Sequence, residues 1–410
     1  MRTALETAPS SCFDATVLRL IALAVTLCIL GGALPSASRA DTWRVVRTVM
    51  LMRHGVRPPN KEPPVPVSIA PDPWPAWSTR PGWLTDHGAA AVRLVAAADA
   101  RRFIADGTLP AHACPPPGSV RVVSDSLQRT IATGDAYASS LAPGCGIVNH
   151  HAPQGEADPL FDAYRTSDIT TAAAQEAVAS AVGPGGVTAL AQQYQSALDA
   201  VTHIVCGNRP DRCGLADVQS GTEVDPSGAH RPRLTGALAY GSVISEVLEL
   251  EYAEGKPRAD VGWGRATADD IRLVGGLHAL ELSIIARPRP LAVANAGKIA
   301  DVIRDAVDTG PPLTVIVGHD TEVANIAGLL DAHWSVTGFA DDEPAPGGAL
   351  VFQLLEAPNG DQTVRAWYRS QTLEQIRALT DGDSTWVPLA IRGCPGELCS
   401  LDSFVTALTA

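Results

Sequence analysis

Two apolar runs that each end at a histidine constrain the fold of this chain more than any other feature. Val45 to Met52 (Val-Val-Arg-Thr-Val-Met-Leu-Met) is rich in β-branched and large apolar residues and stops abruptly at Arg53-His54-Gly55. Leu313 to Val317 (Leu-Thr-Val-Ile-Val) stops in the same way at Gly318-His319-Asp320. Runs of this kind read as strands buried on both faces, as in parallel sheets covered by helices. Val120 to Val123 reads as a third strand and Ile147 to His150 as an edge strand, while Ala349 to Leu355 and Thr363 to Tyr368 read as antiparallel neighbours. Thr85 is the expected N-cap of an alanine-rich helix reaching about Ile104. Further helices are expected through about Ser140 and over 292–307. The alternation predicts an α/β fold: a three-layer core with a mostly parallel central sheet. Residues 156–272 change texture to alanine-rich helical stretches broken by polar loops, which predicts a mainly helical cap subdomain inserted between core segments 41–155 and 273–410.

The first forty residues stand apart. Leu20 to Leu34 is almost uninterruptedly apolar, follows Arg19, and leads to Ser38 and Ala40, small residues that fit a signal-peptidase site before Asp41. The run is shorter than the roughly 20 residues needed to cross a bilayer, so 1–40 reads as a signal peptide, with an uncleaved anchor as the alternative. Its removal leaves 28 basic and 42 acidic residues. That balance disfavours nucleic acid and anionic lipid as partners. Six cysteines remain, Cys114, Cys145, Cys206, Cys213, Cys394 and Cys399. An even number in an exported chain implies disulfides, with fifteen possible connectivities. Proximity favours Cys206–Cys213 and Cys394–Cys399, leaving Cys114–Cys145. Zinc is the rival, but no CxxC pair is present.

Arg53, His54 and Arg57 place two guanidinium groups and an imidazole within five residues of a strand end, followed by the rigid Pro58-Pro59. Arginine forks match phosphate oxygens, and their field disfavours imidazolium, leaving His54 neutral and nucleophilic. Asp320, after a second strand, supplies a carboxyl group able to act as acid and then as base, although it also fits a helix N-cap. Ligands of open α/β sheets bind beyond the carboxyl ends of the strands, where both motifs fall. Arg129, after the third strand, is a candidate third phosphate clamp, and Lys61 a weaker candidate near Arg57. His150-His151 lacks the carboxylates or cysteines of a metal site, and His87 and His278 read as structural or surface histidines. With no Walker loop, dinucleotide fingerprint or nucleophile elbow, no cofactor is expected.

Arg-His-Gly-x-Arg-x-Pro at 53–59 with His319-Asp320 resembles the histidine acid phosphatases, within them the periplasmic bacterial phytases and glucose-1-phosphatases. The likeness runs from about Thr48 to Phe404, through stretches such as Gln128-Arg129-Thr130, Asp158-Pro159-Leu160-Phe161 and Pro346-Gly347-Gly348. It implies that His54 is phosphorylated, that Arg53, Arg57, Arg129 and His319 hold the phosphate, and that Asp320 donates the proton. It also implies a periplasmic or secreted acid phosphomonoesterase taking a small phosphate ester, with phytate the expected substrate and a sugar phosphate the alternative; a monomer is expected. Glu322 stands where the phytase-like pattern has Asn, and Ala349 where it commonly has Glu. A carboxylate at 322 would raise the pKa of Asp320 if close, or repel a highly charged substrate if it faces the pocket. A non-catalytic phosphosugar-binding protein is the alternative of another class, set against the presence of both His54 and Asp320. A mutase of the related Arg-His-Gly-Glu type is disfavoured by Val56-Arg57.

Overall fold

The computed structural model describes residues 43–209 and 213–409; the expected signal peptide lies outside them. In chain order the described elements are β1 (Arg44–Arg53), α1 (Asp86–Ala105), β2 (Val120–Ser124), α2 (Gln128–Leu141) and β3 (Asn149–His150). There follow α3 (Thr171–Val182), α4 (Gly186–Gln193), α5 (Gln195–Cys206), β4 (Gly221–Glu223), β5 (Arg233–Thr235), α6 (Gly236–Ala253) and α7 (Ala268–Ile285). The chain continues with α8 (Arg289–Thr309), β6 (Leu313–Gly318), α9 (Asp320–Leu330), β7 (Ala349–Glu356), β8 (Gln362–Ser370), α10 (Leu373–Ala378), β9 (Thr385–Leu389), β10 (Leu398–Ser400) and α11 (Leu401–Thr409).

The main sheet has the order β10-β8-β7-β1-β6-β2-β3, with β9 also paired to β8. β1, β6, β2 and β3 pair in parallel, β7 runs against β1, and β8 reverses again. Five of its eight strands therefore point the same way, and the class is α/β as expected. The central strand explains the apolar run. Met50 and Met52 face a layer with Val92, Phe103 and Tyr137 of α1 and α2. Val49 and Leu51 face the opposite layer, with Leu291, Ile299 and Ile303 of α8. Alternate side chains thus enter different cores, so no polar alternation survives.

Among the described residues, 156–272 hold the helices α3 to α6, the first turn of α7, and the two-stranded β4–β5 ribbon that the sequence did not reveal. The disulfides are Cys114–Cys145, Cys206–Cys213 and Cys394–Cys399, the pairing that proximity favours. No helix among the described residues is long and apolar enough to cross a membrane.

The loop after β1 is held on several sides. Arg53 N–H donates to Gly348 O (2.9 Å), His54 N–H to Gly318 O (3.0 Å), and Gly347 N–H to His54 O (3.0 Å). Gly347 has φ +72°, a conformation open to glycine and costly elsewhere, which accounts for Pro346-Gly347-Gly348 as a backing turn. Thr85 caps α1 as expected, accepting from Gly88 N–H at 2.8 Å. Gly88 lies so close to the loop that an added Cβ would stand 2.8 Å from Val56 N. Gly88→Ala should therefore destabilise the protein by about 1–3 kcal/mol, read as a lowered thermal midpoint, and should reduce any activity that depends on Arg57.

Candidate active site

Register brings three strand ends to one rim. Arg53 is opposite Gly318 in the β1–β6 pair, and Ser124 is opposite Val317 in the β2–β6 pair. His54, His319-Asp320 and Asp125 consequently leave adjacent parallel strands at one level. They open onto a cavity of about 400 Å³, lined also by Arg57, Asn60, Arg129, Asp162, Arg231 and Glu322.

His54 is buried, and its Nδ1 lies 2.8 Å from Gly55 O. A carbonyl only accepts, so Nδ1 carries the hydrogen and Nε2 is left with its lone pair free. Nε2 is buried and has no hydrogen-bond partner. Burial, followed by the charges of Arg129, Arg57, His319 and Arg53, holds the His54 pKa well below its ordinary value. The ring is neutral and its Nε2 lone pair is unengaged.

His319 packs edge-on to His54, with ring centroids 5.3 Å apart. Its Nε2–H donates to Asp125 Oδ2 at 2.8 Å, and Nδ1 is buried without a partner. Burial alone would raise the Asp125 pKa, but the hydrogen bond and charge of His319 lower it. Arg129 donates to Gly82 O at 3.5 Å and leaves Nε unpartnered. Burial and the repulsion of Arg57 bring its pKa down to about 10, against the opposing charges of Asp320, Asp125 and Glu246.

Asp320 is the first residue of α9, with His319 as N-cap. Its Oδ1 accepts from Thr321 N–H at 2.7 Å, and Oδ2 lies 3.1 Å from Arg53 Nη2. Burial would raise its pKa, yet the cations Arg53, His278 and Arg57 hold it well below the carboxylate range. Glu322 accepts from His319 N–H at 2.8 Å, closing the turn as a capping carboxylate while also lining the cavity. It meets the backbone of the motif as well as the pocket.

Arg53 differs from Arg57 and Arg129 in position. It is 0% exposed, lies behind the cavity rather than in its wall, and donates to Pro344 O (2.5 Å) and Glu246 Oε1 (2.8 Å). Arg57 Nη2 donates to the same Glu246 oxygen at 2.8 Å. Lys61 is exposed and does not line the cavity; Asn60 does. His278, read from sequence as structural or surface, is buried against this cluster. Asp125, Glu246 and Arg231 went unassigned in the sequence. Asp125 follows a strand end, a signal available there, whereas Glu246 and Arg231 come from distant segments without one.

Comparison with known proteins gives these observations a family. The chain is 31% identical over 375 residues to phytase AppA of Escherichia coli, covering 85% of this chain and 84% of that protein. It is 28% identical over 405 residues to the glucose-1-phosphatase of Salmonella typhimurium, covering 94% and 97% respectively. The Hafnia alvei phytase structure with myo-inositol hexakis sulphate matches with a TM-score of 0.82 at 28% identity, over 90% of this chain and 97% of that one. No family model matches the chain. A strand-end Arg-His-Gly loop facing a His-Asp pair in an α/β sheet defines a phosphoric monoester hydrolase. The chain belongs to the histidine acid phosphatases, the family of the bacterial phytases and glucose-1-phosphatases.

Asp125→Asn removes the carboxylate that accepts from His319 Nε2–H and holds its ring in the cavity wall. A charge-assisted hydrogen bond contributes about 1.5–3 kcal/mol, so kcat/KM for a phosphomonoester should fall about tenfold to a hundredfold, with the thermal midpoint nearly unchanged.

Proposed function

We propose that this enzyme hydrolyses phosphate monoesters through a phosphohistidine on His54 Nε2. The single observation that carries the reading is that buried, unpartnered Nε2, facing a cavity walled by Arg57, Arg129 and His319. In the first step Nε2 attacks phosphorus, the P–O bond to the alcohol breaks, and Asp320 gives its proton to the departing oxygen. In the second, Asp320 takes a proton from water as that water's oxygen attacks phosphorus, the P–N bond breaks, and His54 and inorganic phosphate are restored. Arg57, Arg129 and His319 carry the phosphoryl oxygens, while Arg53 acts from behind through Asp320 and Glu246. No metal or cofactor is used. The surrounding cations favour ionised Asp320, and a bound phosphate offsets them, restoring its proton affinity at the moment of use.

His54→Ala should lower turnover by about four orders of magnitude or more with the fold retained. Acid-labile loss and base-stable retention of labelled phosphate on the quenched wild-type enzyme should mark the intermediate. Near wild-type turnover in the variant refutes the nucleophile. Turnover needs Asp320 protonated in the substrate complex, so the rate is high on the acidic side and is lost as pH rises through that group's pKa.

We take phytate as the substrate. The cavity is larger than one phosphate group fills, and Arg231, exposed at its mouth, offers a second cation beyond the scissile phosphate. The related Hafnia alvei phytase holds an inositol hexakis sulphate in the same fold. A sugar phosphate is the second reading, favoured by Glu156, Asp162 and Glu322, which also line the cavity. Arg231→Gln should raise KM for phytate about threefold to tenfold and leave p-nitrophenyl phosphate kinetics unaltered. If glucose 1-phosphate is hydrolysed faster than phytate and Arg231→Gln changes neither, the sugar-phosphate reading replaces it. Export to an oxidising compartment is supported by the apolar leader and three disulfides. Residues 156–272, which contribute Phe161, Asp162 and Arg231 to the cavity, act as its cap.

A further inference from the structure

Helix spacing builds a buried charged layer behind Asp320. Glu246 and Glu249 are three residues apart on α6, and His278 and Glu281 three apart on α7, so each pair shares a helix face. These helices pack together, and Glu343 joins them from the segment before β7. Glu249 and Glu343 are buried, Glu281 is half-buried, and His278 is 8% exposed. His278 Nδ1–H donates to Glu343 Oε1 at 2.5 Å. One ring nitrogen of His278, one oxygen of Glu246 and one of Asp320 all lie within 4.8 Å of one another.

A histidine between two carboxylates at this spacing also resembles the donor set of a cation. Here the positive charge comes from the chain. Glu246 already accepts from Arg53 and Arg57, each at 2.8 Å, and Asp320 faces Arg53 at 3.1 Å. The surplus of carboxylates is met by the imidazole. Burial would lower the His278 pKa, but Glu343, then Glu246 and Asp320, raise it to about 10. Burial and Glu343 push Glu249 up to about 8, so the layer relieves its charge at Glu249 and keeps it at His278.

We propose that His278, clamped as an imidazolium by Glu343, is a positioning residue that sets the pH at which Asp320 gives up its proton. This rests on the reading of Asp320 as general acid. The titratable and charged groups facing Asp320 are Arg53 from β1, the neutral His54 and the cation Arg57 from the loop after it, and Arg129 from α2. Glu246 and Glu249 come from α6, His278 and Glu281 from α7, Glu343 from the segment before β7, and His319 and Glu322 from its own turn. Among the cations His278 can be made neutral without disturbing a group that lines the cavity. Its loss removes one charge that favours ionised Asp320, so Asp320 keeps its proton to higher pH.

The test is the pH dependence of kcat for His278→Asn and for the double variant His278→Asn/Glu343→Gln. The double variant replaces the ion pair with a neutral pair and guards against unfolding caused by a bare buried carboxylate. Opposite charges within about 4–6 Å shift a carboxyl pKa by about 1–3 units, and Glu343 offsets part of this. The alkaline limb should therefore move up by about one pH unit in the double variant, and at least as far in the single one. An unmoved limb in a folded double variant overturns the proposal, whatever happens to the height of kcat, because a merely structural role changes the height alone. Asp320→Asn separates the two levels. If it retains wild-type turnover, the general-acid reading itself fails. If it abolishes turnover while the limb stays fixed in the His278 variants, only the present inference fails.

Discussion

A guanidinium group with no access to water lies at the centre of this structure. Arg53 ends the central strand, and burial alone would depress its pKa; Asp320, Glu246, Glu249 and Glu343 reverse that and raise it. An unpaired charge in such a place is strongly destabilising, so the surrounding carboxylates are a condition of the fold. They come from α9, α6 and the segment before β7, and this one cation ties the helical region to the sheet. The same interaction orients the site, because Arg53 reaches Asp320 on one side while Glu246 joins it to Arg57 on the other. Folding and chemistry draw on one set of ion pairs.

The parallel half of the sheet supplies the second constraint. Three neighbouring strands end in register, and the side chains that follow them meet without long excursions of loop. His54 and Asp125 are consequently held by backbone hydrogen bonds to the adjoining strand, His54 N–H to Gly318 O and Asp125 N–H to Val317 O, each at 3.0 Å, while His319 N–H is held by Glu322. Preorganisation of this kind gives a polar site its strength, since little reorganisation is left for the moment of reaction.

Much of this was legible in the sequence for local reasons. An apolar run ending at a histidine is a local pattern, and so are the Thr85 cap and the short cysteine spacings. The α/β class, the two site strands, the antiparallel β7–β8 pair and the disulfides followed from such patterns. What escaped is non-local. Nothing near Glu246, His278 or Glu343 marks them, because their role arises only when α6, α7 and a distant segment close on Arg53. Lys61 shows the converse: nearness in sequence to Arg57 suggested a shared site, but Lys61 is exposed and it is Asn60 that lines the cavity. Glu322 was legible as a departure from the family pattern, yet its bond to His319 N–H required the turn itself.

The hydrogen bond from His54 Nδ1 to Gly55 O has a bearing on inheritance. In many enzymes the group that fixes the tautomer of a reactive histidine is a carboxylate, which one nucleotide change can delete. Here it is a peptide carbonyl, present whatever residue occupies position 55. Genetic drift cannot remove the acceptor; it can only displace it, and the way to do so is to give Gly55 a side chain that would press within 2.9 Å of Leu84 and Val92. The identity of the free nitrogen is therefore written into the main chain, and lineages descending from this protein can vary the walls of the pocket while inheriting the same unpartnered atom.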